Sequence, residues 1–223
     1  MPSASAVVGP RWQRLPKQHR ARRVILGRSM NELIHLYLAR HGRTDWNHVG
    51  RFQGHSDVPL DDVGREQARA FAAALRGKVE AVISSDLVRA RETATLIAEA
   101  LRLPFLGVDV ELRERGYGVF EGLTRDECIA RHPQAWAARG NDRNFEPPGA
   151  EPNAQVLARM RRALERAVER VRGRYRHALV IGHGSSLRML LEQLEGTPQP
   201  ALANLECRVL LHDGATFSRA QIE

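Results

Sequence analysis

Two histidines stand directly after apolar runs of the chain, each beside glycine. His41 lies in Arg40-His41-Gly42, after the run 33–39, and His183 lies in Gly182-His183-Gly184. A glycine next to an imidazole lets a ligand approach the backbone closely. A neutral imidazole is a nucleophile, and a guanidinium beside it attracts anions. These residue types at two strand ends therefore indicate chemistry on an anionic substrate, and phosphate fits them best.

Arg89 and the residues that follow His183 extend this pattern. Arg89 lies one turn into a predicted helix that follows another predicted strand, so its guanidinium can reach the same edge of the sheet. The helix after His183 opens at Ser185 and Ser186, whose free N–H groups favour an anion. Taken singly, each histidine also fits an ordinary strand end, and Arg89 also fits a surface position. Together they predict one phosphate site.

The same residues belong to an ordered series of short motifs. The series comprises Leu38-Ala39-Arg40-His41-Gly42-Arg43-Thr44-Asp45-Trp46-Asn47, Arg51-Phe52-Gln53-Gly54, Asp57-Val58-Pro59-Leu60, Ser84-Ser85-Asp86-Leu87, Arg89-Ala90, Leu112-Arg113-Glu114, Pro148-Gly149-Ala150-Glu151 and Val180-Ile181-Gly182-His183-Gly184. In this order the motifs resemble the histidine phosphatase superfamily, which has the phosphoglycerate-mutase-like fold. Each motif alone is weak, but the ordered set is highly specific.

The resemblance implies a role for each matching position. His41 corresponds to the nucleophile that becomes phosphohistidine, and Glu114 corresponds to the acid that protonates the leaving oxygen. His183 completes the implied catalytic set. The residues implied to hold the phosphoryl oxygens are Arg40, Asn47, Arg89 and His183.

Elementary chemistry is consistent with these roles and requires no metal or cofactor. Phosphoryl transfer needs mainly positioning and neutralisation of the equatorial oxygens, which two arginines can supply. Nearby cations favour the neutral form of His41 that attack requires. The same cations favour the carboxylate form of Glu114, so burial or the phosphate dianion must restore its proton. A zinc site of His41, His48 and His55 is disfavoured because Arg40 would repel the ion and the spacing fits no usual ligand pattern.

The family that the chain resembles contains phosphatases, in which water takes the phosphoryl group, and mutases, which return it to a sugar acid. The loop 51–55 and the short stretch 123–146 resemble the phosphatase form. The segment 114–118 resembles the mutase form, in which arginine and tyrosine contact a carboxylate. We therefore expect a phosphatase acting on small phosphorylated metabolites, with a bisphosphoglycerate-dependent mutase as the alternative.

Four residues are candidates for substrate recognition. Gln53 and Gly54 belong to the phosphatase-type loop, and Arg115 and Tyr117 belong to the mutase-type segment. The second pair suggests a carboxylated phosphate ester such as a phosphoglycerate or phosphoserine; alternatively, both side chains only pack a lid. An inactive phosphate-binding protein is the non-enzyme alternative, which is disfavoured because the complete implied catalytic set is present.

Strand and helix signals alternate around these motifs. Strands are predicted over 33–39, 79–84, 105–110 and 177–182, and a final hairpin over 207–211 and 216–222. Helices are predicted after caps at Asp61 or Asp62 and at Ser85 or Asp86, after Pro152, and after His183. This alternation predicts an α/β fold, a three-layer α/β/α sandwich with a mostly parallel central sheet and helices on both faces.

Two stretches add to this plan. Residues 111–151 contain glycines, prolines and short helical pieces near 124–131 and 133–139, which predicts a loop-rich lid over the site. The long helix after Pro152 carries an arginine-rich face with Arg159, Arg161, Arg162, Arg166 and Arg170. Because Glu165 and Glu169 are interleaved, we expect this face to be solvated and salt-bridged.

The net charge of +8 is concentrated at the start of the chain. Residues 1–30 contain seven basic side chains and no acidic one, which leaves +1 for residues 31–223. This basic tail is predicted to be disordered, and a true start at Met30 is the favoured interpretation. A transit peptide or a basic arm for nucleic acid or anionic lipid are alternatives. The folded domain is expected over 31–223.

Composition also limits the partners. The nearly neutral body offers no basic face with aromatics, and no apolar stretch has transmembrane length, so neither nucleic acid nor membrane is expected. Cys128 and Cys207 lack CxxC spacing and suit a reducing cytoplasm. The expected partner is a small phosphate ester, and the resemblance allows a homodimer.

Overall fold

The centre of the protein is a six-stranded sheet in the order β3-β2-β4-β1-β5-β6, in a computed structural model that describes residues 33–220. The strands are β1 (Ile34–Arg40), β2 (Ala81–Ser85), β3 (Phe105–Asp109), β4 (His177–Gly182), β5 (Cys207–His212) and β6 (Phe217–Arg219). Strands β1 to β4 pair in parallel, whereas β5 and β6 are antiparallel to their neighbours. The predicted mostly parallel sheet is confirmed. The predicted tail over 1–30 and the last residues of the hairpin lie outside the described residues.

Helices cover both faces of this sheet. Within residues 33–220 they are α1 (Asp45–His48), α2 (Asp62–Leu75), α3 (Val88–Leu101), α4 (Arg125–Arg131), α5 (Pro133–Arg139), α6 (Asn153–Val171) and α7 (Gly184–Glu195). Side chains alternate between the faces of a strand. Leu36 and Leu38 of β1 accordingly pack with α6 and α7, whereas Tyr37 and Ala39 pack with α2 and α3. The predicted three-layer sandwich is confirmed, and no helix in the described part is long and apolar enough to span a membrane.

The start of α3 differs from the prediction. Leu87 occupies the N-cap position without a side-chain cap, instead of Ser85 or Asp86. The Asp86 carboxylate is paired with Arg113, and the Oδ1 atom of Asp57 accepts the hydrogen bond from the Val88 N–H at 2.6 Å. A side chain distant in sequence therefore satisfies an N–H group that a local cap normally satisfies.

The segment 111–151 has a small apolar centre of its own. It contains α4, α5 and the 3₁₀ turn Gly118–Phe120, and the two short helices lie where they were predicted. Its buried side chains Phe120, Leu123 and Cys128 form a cluster separate from the two clusters that pack on the sheet. Leu112, near the start of the segment, instead packs into the core cluster that α6 and α7 share with the sheet.

The arginine-rich face of α6 is only partly as predicted. Arg162 and Arg166 do form ion pairs, but their partner is Glu111, and Arg166 also pairs with Asp109. Arg159 is salt-bridged, to Glu151, but the prediction that it is solvated is wrong, because it is buried. Helical periodicity identifies a polar face, but it cannot show that another segment of the chain covers one turn of that face.

Candidate active site

His41 is the first residue after β1, and the fold brings it beside His183. Its N–H donates to the carbonyl of Gly182 at 3.0 Å, because β1 and β4 are parallel neighbours with Arg40 opposite Gly182. The two imidazole ring centroids lie 5.1 Å apart. Both predicted strand ends therefore meet at one edge of the sheet.

The tautomer of His41 follows from its hydrogen bond. Nδ1 lies 2.7 Å from the carbonyl oxygen of Gly42, and because a carbonyl only accepts, Nδ1 must carry the proton. In the neutral ring, Nε2 then holds the lone pair. The orientation of the imidazole thus leaves its nucleophilic nitrogen away from the backbone.

Close backbone packing fixes the turn around His41. A Cβ atom on Gly42 would lie 2.7 Å from the carbonyl oxygen of Gly64, and one on Gly64 would lie 2.0 Å from that of Arg43. These distances are far below van der Waals contact, so both positions require glycine. The first turn of α2 therefore packs directly against the turn that carries the histidine.

Both histidines are held in the neutral form. The pKa of His41 lies well below its usual value, first because the ring is buried and then because the Arg89 and Arg40 guanidiniums oppose a further positive charge. Burial also sets the pKa of His183 well below its usual value, with further contributions from Arg89 and His41. The sequence predicted the effect of the cations on His41, whereas burial as the leading cause is visible only in the fold.

Arg89 is fully buried in the first turn of α3. Its Nη1 and Nη2 donate to the carbonyls of Ser56 and Gly54 at 2.7 and 2.8 Å, and burial lowers its pKa to about 10. These two bonds hold the loop 54–56 against α3. The guanidinium therefore both shapes the site and places a positive charge in it.

Several buried polar atoms around the two histidines have no hydrogen-bond partner within residues 33–220. They are Nε of Arg40, Nε of Arg89, and both ring nitrogens of His183. Buried polar atoms are normally satisfied, and each unsatisfied one costs free energy. Donors from two arginines next to two imidazoles match the oxygens of a phosphoryl group. We interpret this cluster as the predicted phosphate site.

Glu114 occupies the helix terminus that was expected to bind the substrate anion. Its carboxylate accepts hydrogen bonds from the backbone N–H groups of Ser185 at 3.0 Å, Ser186 at 2.8 Å and Arg115 at 2.9 Å. The prediction that the N–H groups of Ser185 and Ser186 are free is therefore wrong. The positive end of α7 stabilises an anion of the protein itself, and this contact brings Glu114 to the site.

A cavity of about 180 Å³ lies at this site, and His183 is not among the residues that line it. The predicted site residues that line it are Arg40, His41, Asn47, Gln53, Gly54, Arg89, Glu114 and Tyr117. Asn47 uses Oδ1 to accept from the Thr44 N–H, which leaves its NH₂ group for a ligand. Gln53 donates through Nε2 to the Thr44 hydroxyl at 2.9 Å, so its Oε1 is the free atom. Gln53 can accordingly accept a hydrogen bond from a ligand.

Arg115 lies outside this cavity. It lines a second cavity of about 180 Å³ beside the first, with Arg139, Arg143 and Arg188. Tyr117 borders both cavities, and its hydroxyl lies 2.5 Å from that of Ser185. Arg115 can therefore touch only a substrate that extends from the first cavity into the second.

Sequence reasoning missed some residues that line the first cavity. Arg188 lines both cavities from α7 and pairs with Glu192. Like Arg89, Arg188 lies early in a helix that follows a strand end, so the same sequence pattern could have identified it. Arg51 lines the first cavity as well, but it pairs with Glu127 of α4. No local sequence pattern predicts this contact.

The rejected zinc site is not assembled by the fold. Among residues 33–220, no three His, Cys, Asp or Glu side chains are grouped to hold a metal ion. His48 is exposed on α1, and His55 instead directs its Nε2 to the carbonyl of Glu114 at 2.8 Å.

Comparison with known proteins gives consistent matches. A family model described as the histidine phosphatase superfamily (branch 1) matches residues 36–218. The bifunctional protein Rv2228c of Mycobacterium tuberculosis is 38% identical over 158 residues, which are 70% of this chain and 43% of that protein. This chain thus spans less than half the length of that mycobacterial relative.

Two other relatives match over more of their own length. The metal-independent phosphoserine phosphatase of Arabidopsis thaliana is 38% identical over 165 residues, which cover 72% of this chain and 68% of that protein. The probable phosphoglycerate mutase GpmB of Yersinia pestis is 35% identical over 179 residues, with coverages of 79% and 81%. A relative named as a phosphatase and one named as a mutase thus match this chain at similar sequence identity.

A solved structure shows the same likeness in three dimensions. The mycobacterial glucosyl-3-phosphoglycerate phosphatase, in complex with VO3, matches with a TM-score of 0.69 at 31% identity. The match covers 79% of this chain and 90% of that one. The sheet and helices described above are therefore those of an existing fold family.

Proposed function

The chain belongs to the histidine phosphatase superfamily, and on this basis we propose that it is a metal-independent phosphomonoester hydrolase that acts on small phosphorylated metabolites through a phosphohistidine at His41. The geometry of His41 is the observation that carries the proposal. Its Nδ1 proton is committed to Gly42, its ring is held neutral, and Arg40 and Arg89 line the same cavity. A neutral nucleophile between two guanidiniums suits attack on an anionic phosphate.

In the first step, the Nε2 lone pair of His41 attacks phosphorus and the ester P–O bond breaks. Arg40 and Arg89 neutralise the equatorial oxygens, and His183 contributes a further ring nitrogen to them. Glu114 gives a proton to the leaving oxygen, so that an alcohol departs. In the second step, water attacks the phosphohistidine, Glu114 takes a proton from it, and inorganic phosphate and free His41 result.

Glu114 needs a proton before it can act as the acid. In the free enzyme its carboxylate accepts hydrogen bonds from three backbone N–H groups. We propose that the phosphate dianion, once bound next to Glu114, opposes a second negative charge there, so that the carboxylate takes up a proton from solvent.

Both chemical steps can be observed directly. We expect p-nitrophenyl phosphate to be hydrolysed in the presence of a chelator, and an acid-labile, base-stable phosphoenzyme to be trapped after rapid quenching. Activity that is lost in chelator and restored by a divalent ion would contradict metal independence. Tight binding of phosphate without any turnover would support the non-enzyme alternative.

The mutase alternative is favoured by one observation, the second cavity with Arg115, Arg139 and Arg143. Those guanidiniums can hold a carboxylate while the phosphoryl group lies at His41. A panel of phosphate monoesters, including phosphoserine and phosphoglycerates with and without a bisphosphate primer, separates the two activities. Isomerisation faster than hydrolysis would establish the mutase in place of the phosphatase.

Glu114→Gln tests the acid. We expect kcat/KM for an alkyl phosphate, whose leaving oxygen needs a proton, to fall on the order of 10²- to 10³-fold. For p-nitrophenyl phosphate, whose leaving group departs without a proton, the loss in kcat/KM should be much smaller. Steady-state kinetics on both substrates measure this contrast, and equal losses on the two would remove Glu114 from the acid role.

A further inference from the structure

Arg159 is a buried arginine that the proposed chemistry does not use. It lies in the middle of α6 and is 9% exposed, although its helix is amphipathic and its neighbours Arg161 and Arg162 are exposed. Burying a guanidinium is costly unless its donors are satisfied. The partners of Arg159 therefore indicate why it is there.

Both terminal nitrogens of Arg159 donate to the loop that carries Glu114. Nη1 donates to the carbonyls of Glu111 and Arg113 at 2.8 and 2.6 Å, and Nη2 donates to the carbonyl of Glu114 at 2.9 Å. Three main-chain carbonyls within four residues thus converge on one side chain. A loop with no regular hydrogen-bond ladder at this point is held by this guanidinium.

Glu151 balances the charge of Arg159 and binds the same loop. Its carboxylate accepts from Nε and Nη2 of Arg159 at 2.7 and 2.8 Å, and its own N–H donates to the carbonyl of Gly116 at 3.0 Å. Glu151 lies at the end of the lid segment, directly before α6. The ion pair therefore ties the end of the segment 111–151 and α6 to the loop that carries Glu114.

His55 also binds the main chain of Glu114, from the loop that Arg89 holds. Its Nε2 must be the donor to the Glu114 carbonyl at 2.8 Å, because a carbonyl only accepts. His55 directly follows Gly54, whose carbonyl binds Arg89. The main chain of Glu114 is thus linked to the loop that the phosphate-binding arginine holds.

We propose that Arg159, Glu151 and His55 are positioning residues that hold Glu114 at the distance from His41 that proton transfer to the leaving group requires. The inference rests on the proposed phosphatase function. The Glu114 side chain is fixed by α7 and its main-chain carbonyl by Arg159 and His55, so the acid is held from two sides. Misplacement of a reacting group by about 1 Å can cost about 10²-fold in rate.

Arg159→Met tests this proposal, with Arg166→Met as the matched control on the same helix. Arg166 pairs with the carboxylates of Asp109 and Glu111 and makes no contact with Glu114. We expect Arg159→Met to lower kcat/KM about 10²-fold for an alkyl phosphate and far less for p-nitrophenyl phosphate, as Glu114→Gln does. In Arg166→Met, the ratio of kcat/KM for the alkyl phosphate to kcat/KM for p-nitrophenyl phosphate should be the same as in the wild type.

A double-mutant cycle separates positioning from general destabilisation. If Arg159 acts through Glu114, Glu114→Gln/Arg159→Met should be no slower on the alkyl phosphate than Glu114→Gln alone. Losses that multiply, or an equal loss on both substrates, would overturn the proposal. Should Arg159→Met fail to fold, Arg159→Met/Glu151→Leu removes the buried guanidinium together with its half-buried partner and is subject to the same criteria.

One readout does not depend on activity. The amides of Ser185 and Ser186 donate to the Glu114 carboxylate, so their hydrogen exchange should accelerate in Arg159→Met and not in Arg166→Met. If the wild type hydrolyses no monoester, the proposed function fails while this exchange result still decides the positioning. Unchanged exchange in Arg159→Met would overturn the positioning alone.

Discussion

Replacement of His41 by alanine is expected to lower kcat/KM for p-nitrophenyl phosphate by at least about 10⁴-fold and to abolish the trapped phosphoenzyme. The reason is that the proposed reaction passes through a covalent bond to Nε2, for which no other group in the cavity substitutes. His183 lies near, but in the proposed reaction it binds the phosphoryl oxygens and does not attack phosphorus. Single-turnover kinetics with rapid quenching measure both effects.

His48→Ala is the control for this experiment. His48 lies only seven positions later, is exposed on α1 and lines neither described cavity. It should retain wild-type kinetics and the phosphoenzyme. A His41→Ala protein that keeps the wild-type rate would exclude the phosphohistidine route and return the site to the binding alternative.

Arg89→Met is expected to lower kcat/KM on the order of 10³-fold and to weaken inhibition by inorganic phosphate. In the proposed site Arg89 supplies a buried charge next to the phosphoryl oxygens, and it is the second cause, after burial, that keeps His41 neutral. Methionine keeps much of the side-chain volume without the charge. Lysine should restore little activity, because a single ammonium cannot reach the carbonyls of both Gly54 and Ser56.

Arg91→Met is the matched control, because Arg91 is exposed two residues later on α3. Since Arg89→Met leaves two carbonyls without donors, a loss of stability of about 1–3 kcal/mol is expected as well. Urea unfolding measures that loss separately from the kinetics. If phosphate inhibits Arg89→Met as strongly as it inhibits the wild type, Arg89 does not bind the phosphoryl group.

Much of the fold follows from local patterns in the chain. The apolar runs ending at Arg40 and Gly182 predict buried parallel strands, and the amphipathic stretches after Asp61 and Pro152 predict helices that cover them. These features depend on the spacing of apolar side chains along a strand or a helix, and the sequence shows that spacing directly. Parallel strands with helical connections bring their carboxyl ends to one edge, which is why His41 and His183 were expected to meet.

Other features depend on contacts between segments far apart in the chain. Asp57 satisfies the first turn of α3 in place of the expected Ser85 or Asp86. Arg159 looked like a surface residue because its helix is amphipathic, yet the loop 111–114 covers it. Periodicity shows which face of a helix is polar, but not which carbonyl or carboxylate lies opposite each turn.

By itself the sequence determined the layered α/β fold, the two histidine strand ends and the group of arginines around them, since residue type and spacing encode all three. Only the tertiary structure decided how Glu114 reaches the site: its carboxylate binds the N-terminus of α7 and its carbonyl binds Arg159 and His55. The physical reason is that hydrogen-bond donors of α6, α7 and the phosphate loop converge on one residue only when the chain is folded. No local pattern in the sequence records that convergence.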